Sequence, residues 1–154
     1  AGIPARVQEE VLVAPFNDGE AALALIEAHA DELAGVIVEP FQRLLPPLPG
    51  FLAALREATA RHGIPLIFDE VVTGFRFGYS GAQGYYGVTP DLCTLGKIIG
   101  GGFPLAAVCG RADIMAHFDR AKAGEEGFLP QIGTLSGNPV AAVAGLVTLE
   151  VLRR

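Results

Sequence analysis

Charged residues are scarce in this chain of 154 residues. They make up 18% of the sequence, whereas an average soluble domain contains roughly 25%, and hydrophobic residues account for 51%. A composition this apolar excludes a disordered chain, and the length suits one domain of ordinary size. It favours strands that are buried on both faces, or a surface that contacts a partner subunit or a further domain.

Basic runs are missing as well. The net charge is −6, and no lysine or arginine run occurs before Arg153 and Arg154, so nucleic acid is not expected as a partner. The longest stretch of low charge, residues 92–110, contains Lys97 and Pro104 and would make a poor membrane helix. The first residues lack the pattern of a signal peptide. We therefore expect a soluble, cytoplasmic protein that does not bind membranes.

Cysteine and histidine are also rare. Cys93 and Cys109 have neither the spacing of metal ligands nor the density of a disulfide framework, so we expect buried, reduced thiols. His29, His62 and His117 lie on predicted helices without metal-ligand spacing, which indicates structural roles. No metal site is expected.

The elements that are present alternate between apolar runs and helical patterns. Strands are predicted at residues 35–40, 65–71, 91–94 and 106–109, and helices at residues 18–33, 50–61, 111–118 and 139–152. This alternation predicts an α/β fold with a mostly parallel sheet. Ligands of such sheets bind beyond the carboxyl ends of the strands. Glu39, Asp69 and Glu70 fall at those ends, and Lys97 follows one.

Asp69 ends an apolar strand, where an unpaired carboxylate would be costly, so it should have a positive partner. A purely structural role, in which Asp69 caps a helix or pairs with an arginine such as Arg76, is equally open on these grounds. Lys97 has apolar neighbours, which would favour the neutral amine that a Schiff-base lysine requires. Taken alone, however, it is better explained as a loop lysine whose side chain reaches water.

Two glycine-containing stretches could approach a phosphate. A nucleotide-binding loop would need Ser or Thr after Gly96 and Lys97, but Ile98 stands there, so a nucleotide-binding domain is a weak alternative. The second stretch, around Thr134, precedes a predicted helix that starts with a plausible cap, Asn138. Its hydroxyls and free N–H groups could hold a phosphate, or they could serve only to start the helix.

Several stretches in order resemble the class III aminotransferases that depend on pyridoxal phosphate, and the resemblance covers nearly the whole chain. The stretches are Val38-Glu39-Pro40, Phe68-Asp69-Glu70-Val71-Val72-Thr73-Gly74-Phe75-Arg76, Gly87-Val88-Thr89-Pro90-Asp91-Leu92, Leu95-Gly96-Lys97-Ile98-Ile99-Gly100-Gly101-Gly102-Phe103-Pro104 and Gly133-Thr134-Leu135-Ser136-Gly137-Asn138-Pro139. The spacing between Asp69 and Lys97 is the one that the family pattern expects.

The resemblance implies a role for each of five residues. Asp69 would pair with the protonated pyridine nitrogen of the cofactor, and Val71 would pack against one face of its ring. Lys97 would hold the cofactor as a Schiff base and move the proton. Thr134 would bind the cofactor phosphate, in this family usually across a dimer interface, and Gln42 would approach the phenolic oxygen.

The resemblance also implies an architecture and an activity. The chain would be part of the large cofactor-binding domain of a fold type I enzyme, a three-layer α/β/α structure, without its upstream part and without the small C-terminal domain. The chain starts inside a predicted loop and ends within a predicted helix, which agrees with this interpretation. We expect an aminotransferase that moves an amino group between an amino compound and a keto acid or aldehyde, as a homodimer.

Two alternatives remain open. The stretch from Asp69 to Arg76 and the glycines after Lys97 look most like glutamate-1-semialdehyde aminomutases, which move the amino group within one molecule. Glu39-Pro40-Phe41-Gln42 and the following Arg43-Leu44-Leu45-Pro46-Pro47 depart from that pattern, and favour an aminotransferase by a modest margin. The other alternative is a catalytically incompetent fragment that acts as a folding or interaction domain through exposed apolar surface.

Overall fold

A computed structural model describes residues 2–154 and contains one four-stranded sheet. Its strands are β1 (Val36–Val38), β2 (Leu66–Glu70), β3 (Leu92–Leu95) and β4 (Ala107–Gly110), and they lie side by side in sequence order. The first three strands are parallel, and β4 runs antiparallel to β3. The predicted α/β class with a mostly parallel sheet is confirmed.

Seven α-helices connect and flank the strands. They are α1 (Ala5–Glu9), α2 (Gly19–Ala28), α3 (Phe51–Arg61), α4 (Gly81–Tyr86), α5 (Ala112–Met115), α6 (Arg120–Gly127) and α7 (Pro139–Leu152). Short 3-10 helices cover Lys97–Gly100 and Ala116–Phe118. The prediction for α7 agrees with the structure at both ends, because Asn138 caps its first turn by accepting a hydrogen bond from the backbone N–H of Ala141 at 3.0 Å.

Some helices differ from the predicted ones. The helix predicted over residues 18–33 ends at Ala28, and a separate turn follows, in which the N–H of Leu33 donates to the carbonyl of His29. Leu33 still packs against the core, so its helical spacing reflects burial without a continuous helix. The helices α1, α4 and α6 were not predicted, because they are short and lack a clear apolar stripe.

The core lies on one face of the sheet. Leu66 and Phe68 of β2 are fully buried against apolar side chains of α2 and α3, among them Ile26, Leu52 and Leu55. Burying such side chains contributes about 1.5–3 kcal/mol each. The opposite face is partly open: the exposed fraction is 64% for Ile37 on β1 and 48% for Val108 on β4.

The antiparallel pairing of β3 with β4 places Cys93 directly opposite Cys109, with the two Sγ atoms 3.2 Å apart. Cys93 is buried, as expected, but Cys109 is exposed. The prediction that both thiols are buried is therefore wrong for Cys109. Within residues 2–154, β4 is the last strand of the sheet and pairs on one side only, so its side chains have less cover.

Asp91, just before β3, links strand β2, helix α3 and the residue that precedes α5. Its carboxylate is buried and accepts hydrogen bonds from the N–H of Leu66 at 2.8 Å, from Arg56 at 2.6 Å and from Arg111 at 3.0 Å. Burial acts to raise the pKa of Asp91, but these three hydrogen bonds outweigh it, and the pKa lies below its usual value.

This ion pair predicts a loss of stability in acid. A carboxylate with a lowered pKa in the folded state stabilises the fold above its unfolded pKa of about 3.9 and loses that effect as the pH falls through the folded value. We expect Asp91→Asn to lower the free energy of unfolding by about 2 kcal/mol near neutral pH and to flatten its dependence on pH below about 4. The matched change at exposed Asp31 should leave both unaltered. Urea unfolding of the whole protein across this pH range would measure these effects.

Among residues 2–154, no helix is long and apolar enough to cross a bilayer.

Candidate active site

The carboxyl ends of β2 and β3 bring two polar side chains into contact. Asp69 of β2 and Thr94 of β3 are register partners, and the hydroxyl of Thr94 donates to Oδ1 of Asp69 at 3.0 Å. The backbone N–H of Val71 donates to the same oxygen at 3.1 Å. Two donors on one oxygen fix the orientation of this half-buried carboxylate.

The second carboxylate oxygen of Asp69 is available. Within residues 2–154, Oδ2 of Asp69 accepts no hydrogen bond, and the carboxylate forms no ion pair. Arg76, the candidate partner in a structural role, instead donates its Nε to the carbonyl of Val72 at 2.7 Å. Asp69 is therefore held by one oxygen while the other can accept a hydrogen bond from a cationic N–H group.

Lys97 begins the 3-10 helix that follows β3, and it has a left-handed backbone with φ +51°. Its side chain is exposed and forms no ion pair within the described residues. The expectation that apolar neighbours would enclose the amine is wrong for this chain, because the turn buries Ile99 while Lys97 faces outward. The amine is free to react with a ligand.

The turn that carries Lys97 also contacts the loop after β2, and this contact is made by the preceding residue, Gly96. A side chain at Gly96 would meet Val71, whose Cγ1 atom lies 3.2 Å from the position of the added Cβ. The loop after β2 and the turn that carries Lys97 are therefore in close contact. Asp69, Val71 and Lys97, three of the five predicted site residues, lie at one edge of the sheet.

The left-handed backbone of Lys97 has a measurable cost. L-residues other than glycine lose about 1 kcal/mol in this conformation. We expect Lys97→Gly to be more stable than Lys97→Ala by about 1 kcal/mol. At Glu57, an exposed residue in the middle of α3, the same pair of replacements should show the opposite order, since glycine weakens a helix by about 1 kcal/mol. Urea unfolding of the four variants would measure both differences, and equal stability of the two Lys97 variants would contradict the assigned backbone strain.

Gln42 and Asp69 both line one open cavity of about 970 Å³. Both residues line this cavity together with Glu39 and the strand β1. Gln42 is exposed at the start of a tight turn, where its carbonyl accepts from the N–H of Leu45 at 2.8 Å. Gln42 therefore shares this cavity with Asp69, and its side chain makes no hydrogen bond among the described residues.

Thr134 is exposed in the turn before α7 and forms no hydrogen bond with Asp69 or Lys97 among the described residues. Its link to the site is indirect, because α7 packs against the 3-10 helix of Lys97. Gly101 closely approaches Thr148 and the carbonyl of Ala144 of α7, where an added Cβ would lie 2.2 Å from the Thr148 hydroxyl oxygen. The turn that carries Thr134 is therefore attached to the lysine turn through a packed helix.

The neighbouring acid, Glu70, has a structural role. It is fully buried and accepts hydrogen bonds from the N–H groups of Ala82 at 2.6 Å and Gln83 at 3.2 Å, and from the side chains of Thr73 and Gln83 at 3.1 Å each. These bonds attach the loop after β2 to the first turn of α4. Glu70 therefore fixes the course of the chain after Asp69.

Thr94 and Gly96 were not predicted as site residues. Thr94 orients Asp69, and Gly96 gives Val71 its space. The register of β2 against β3 would have identified Thr94, because adjacent parallel strands pair residue by residue, but one sequence does not specify that register.

The fold and these residues define an α/β domain in which a carboxylate is held at the end of β2 and an exposed lysine follows the neighbouring strand β3. The model of the Aminotransferase class-III family matches residues 6–154. The chain belongs to the class-III aminotransferase family.

Individual relatives agree with this membership. Glutamate-1-semialdehyde 2,1-aminomutase 2 of Exiguobacterium sibiricum is 51% identical over 99% of the chain, which covers 34% of that protein. The crystal structure of an omega-transaminase from Sphaerobacter thermophilus is 49% identical, with a TM-score of 0.91 over 98% of this chain and 34% of that one. A transaminase with bound PLP is 39% identical, with a TM-score of 0.89 over 98% of this chain and 36% of that one. The chain thus spans about a third of the length of these relatives.

Proposed function

We propose that this chain is part of the large domain of a pyridoxal-phosphate-dependent aminotransferase. The observation that carries the proposal is the arrangement of Asp69 and Lys97. One oxygen of Asp69 is held by Thr94 and Val71 while the other is available, and the exposed amine of Lys97 follows on the next strand. The substrates would be an amino donor and a keto acid or aldehyde acceptor.

The chemistry of these side chains fits the cofactor. A half-buried carboxylate with one free oxygen is stabilised by a cationic partner, and a protonated pyridine nitrogen is one. Pyridoxal phosphate, when bound, supplies an electron sink that weakens the bonds at the carbon bearing the amino group. Asp69 would hold the ring nitrogen protonated, and Val71 would limit the tilt of the ring. Gln42 would donate to the phenolic oxygen, and Thr134 would donate its hydroxyl to the phosphate.

Lys97 would have two tasks. Its Nζ atom would attach the cofactor covalently before substrate enters, and once displaced it would accept and return the proton that is transferred. Both tasks need an amine without a competing carboxylate, and Lys97 forms no ion pair with the described residues. The packing of Gly101 against α7 would keep the turn of Lys97 in place while the side chain moves.

Covalent trapping tests the proposal. We expect borohydride reduction of the whole protein, loaded with pyridoxal phosphate, to fix the cofactor on the peptide that contains Lys97. The variant Lys97→Ala should give no labelled peptide and no turnover, whereas Lys122→Ala, at an exposed lysine of α6, should behave like the unmodified protein. Labelling at another lysine, or normal turnover in Lys97→Ala, would refute the assignment.

A second candidate is glutamate-1-semialdehyde 2,1-aminomutase, which the 51% identity to such an enzyme favours. An aminomutase needs no second substrate, whereas an aminotransferase stops when its amino acceptor is withheld. Assaying the whole protein with glutamate-1-semialdehyde alone, and then with an amine and a keto acid, would distinguish the two. Inactivity in both assays together with failure to bind the cofactor would favour a role as an interaction domain.

We further propose a cytoplasmic homodimer. The exposed apolar residues of α7, among them Val140, Val143 and Val147, supply a surface that a partner subunit or the rest of the polypeptide could cover. Light scattering of the whole protein would measure the assembly, and a monodisperse monomer would exclude the dimer.

A further inference from the structure

We propose that Cys93 and Cys109 form a redox modification site, a dithiol that a small-molecule disulfide converts into a cross-strand disulfide bond. This site lies apart from the carboxylate of Asp69, because side chains alternate along β3 and Thr94, the partner of Asp69, points to the opposite face. It does not depend on the proposed enzymatic function.

The strand pairing already has the geometry of such a bond. Cys93 and Cys109 are register partners on antiparallel strands, and their sulfur atoms lie 3.2 Å apart. Directly opposed residues of antiparallel strands have Cα separations of about 4.5 or 5.5 Å. Disulfides span Cα separations of about 4.4–6.8 Å. Bond formation therefore requires the sulfur atoms to move closer, while the two backbones can remain paired.

The two thiols differ in access, and this difference sets the order of reaction. Within residues 2–154, Cys109 is exposed on β4, whereas Cys93 is buried on the neighbouring strand β3. Both line a surface pocket of about 410 Å³, together with Gln83 and Glu70, so a small molecule can approach them. Burial, and then the hydrogen bond with the Cys109 thiol, raise the pKa of Cys93 to about 12. Cys109 is consequently the thiol that meets the oxidant first.

The reaction balances with one disulfide, R–S–S–R, as the oxidant. The Cys109 thiolate attacks one sulfur, which forms a mixed disulfide on Cys109 and releases the first RS⁻. The Cys93 sulfur then loses its proton to a released thiolate and attacks the Cys109 sulfur. The second RS⁻ leaves and is protonated. Two protein thiols are oxidised to one disulfide, and the small disulfide is reduced to two thiols.

The mixed disulfide on Cys109 makes it easier for the Cys93 thiol to lose its proton. Two of the causes that raise the pKa of Cys93 come from the Cys109 thiol, its hydrogen bond and its charge, and a mixed disulfide on Cys109 removes both. The amide of Gln83 remains, and its Nε2 donates to the Cys93 sulfur at 3.7 Å. A donor to sulfur favours the thiolate that must form. Cys93 is therefore placed as the resolving thiol.

The bond would enclose the turn of the candidate active site. The segment between the two cysteines contains Lys97 and the three glycines that follow it. A disulfide between the ends of a loop restricts the conformations of that loop. Oxidation would thus tether the lysine turn without altering Asp69.

Oxidised glutathione is a suitable probe for the whole protein. After alkylation of free thiols and digestion without reductant, we expect a linked peptide pair that joins Cys93 to Cys109 and disappears on reduction. Cys93→Ser should instead accumulate a glutathionyl group on Cys109. Cys109→Ser should slow the modification of Cys93 by at least about tenfold, because the buried thiol then has to react by itself.

Three outcomes would refute the proposed redox site at Cys93 and Cys109. One is a glutathionyl group that persists on Cys109 of the unmodified protein without the linked pair. Another is equal reactivity of Cys93 with and without Cys109, and a third is no modification of either thiol under conditions that oxidise an exposed model thiol. The experiment measures the masses of peptides, so it tests the redox site whether or not the protein binds pyridoxal phosphate.

Discussion

Replacing Asp69 with asparagine is expected to lower the turnover of the whole protein by about 100-fold or more while leaving the fold intact. Asparagine keeps the Oδ1 acceptor for Val71 and Thr94, and it replaces the negatively charged Oδ2 acceptor with a neutral NH2 donor. An ion pair at about 3 Å in an effective dielectric of 20 is worth about 5 kcal/mol before desolvation is subtracted. If half of this interaction energy remains after desolvation is subtracted, removing the charge lowers the rate by close to 100-fold.

The measurement is kcat with saturating pyridoxal phosphate, alongside circular dichroism to confirm folding. Two further variants separate the charge from its orientation. Thr94→Val removes the hydroxyl that orients Asp69 and should lower the rate by about tenfold or less, which corresponds to one hydrogen bond. Asp113→Asn, at an exposed carboxylate of α5, should leave it unchanged. Full turnover in Asp69→Asn would show that the pyridine nitrogen needs no anionic partner from this residue.

The fold class could be predicted because apolar runs and helix boundaries can each be recognised within a short stretch of sequence. The strand β1 is a continuous apolar run, and β2 begins with one, Leu66 to Phe68. Helix α3 begins after Gly50 and ends before Gly63, where the composition changes. The direction of β4 could not be predicted in the same way. A short apolar run is equally suited to a parallel or an antiparallel neighbour, and the choice depends on how the chain between β3 and β4 turns back beside the lysine turn.

The candidate site, like the fold, combines features that the sequence could predict with features that it could not. Asp69 and Lys97 stand at strand ends, which a pattern of apolar runs can locate. The left-handed backbone of Lys97 could not be expected from its residue type, because lysine disfavours that conformation. Its exposure also contradicts the enclosure that its apolar neighbours indicated. The contact between Cys93 and Cys109 depends on strand register, which arises from pairing between distant segments.

Glu70 is the residue whose loss should destabilise the chain most. Its carboxylate is fully buried and accepts four hydrogen bonds, two of them from backbone N–H groups at the start of α4. We expect Glu70→Ala to lower the free energy of unfolding by about 3–5 kcal/mol, because these donors lose a charged acceptor in a place that water does not reach. Urea unfolding of the whole protein would measure the change.

Two further substitutions test this explanation. Glu70→Gln keeps the volume but turns an amide N–H towards a donor, since Ala82 and Gln83 approach opposite oxygens of the carboxylate. One donor must then lose its partner, at a cost of about 1–3 kcal/mol. Glu57→Ala, on the exposed side of α3, should stay within about 0.5 kcal/mol. Because Glu70 also holds the loop that begins at Val71, Glu70→Gln should weaken binding of pyridoxal phosphate more than Glu57→Ala does. If Glu70→Ala and Glu57→Ala were equally stable, the buried carboxylate would not hold the loop after β2 in place.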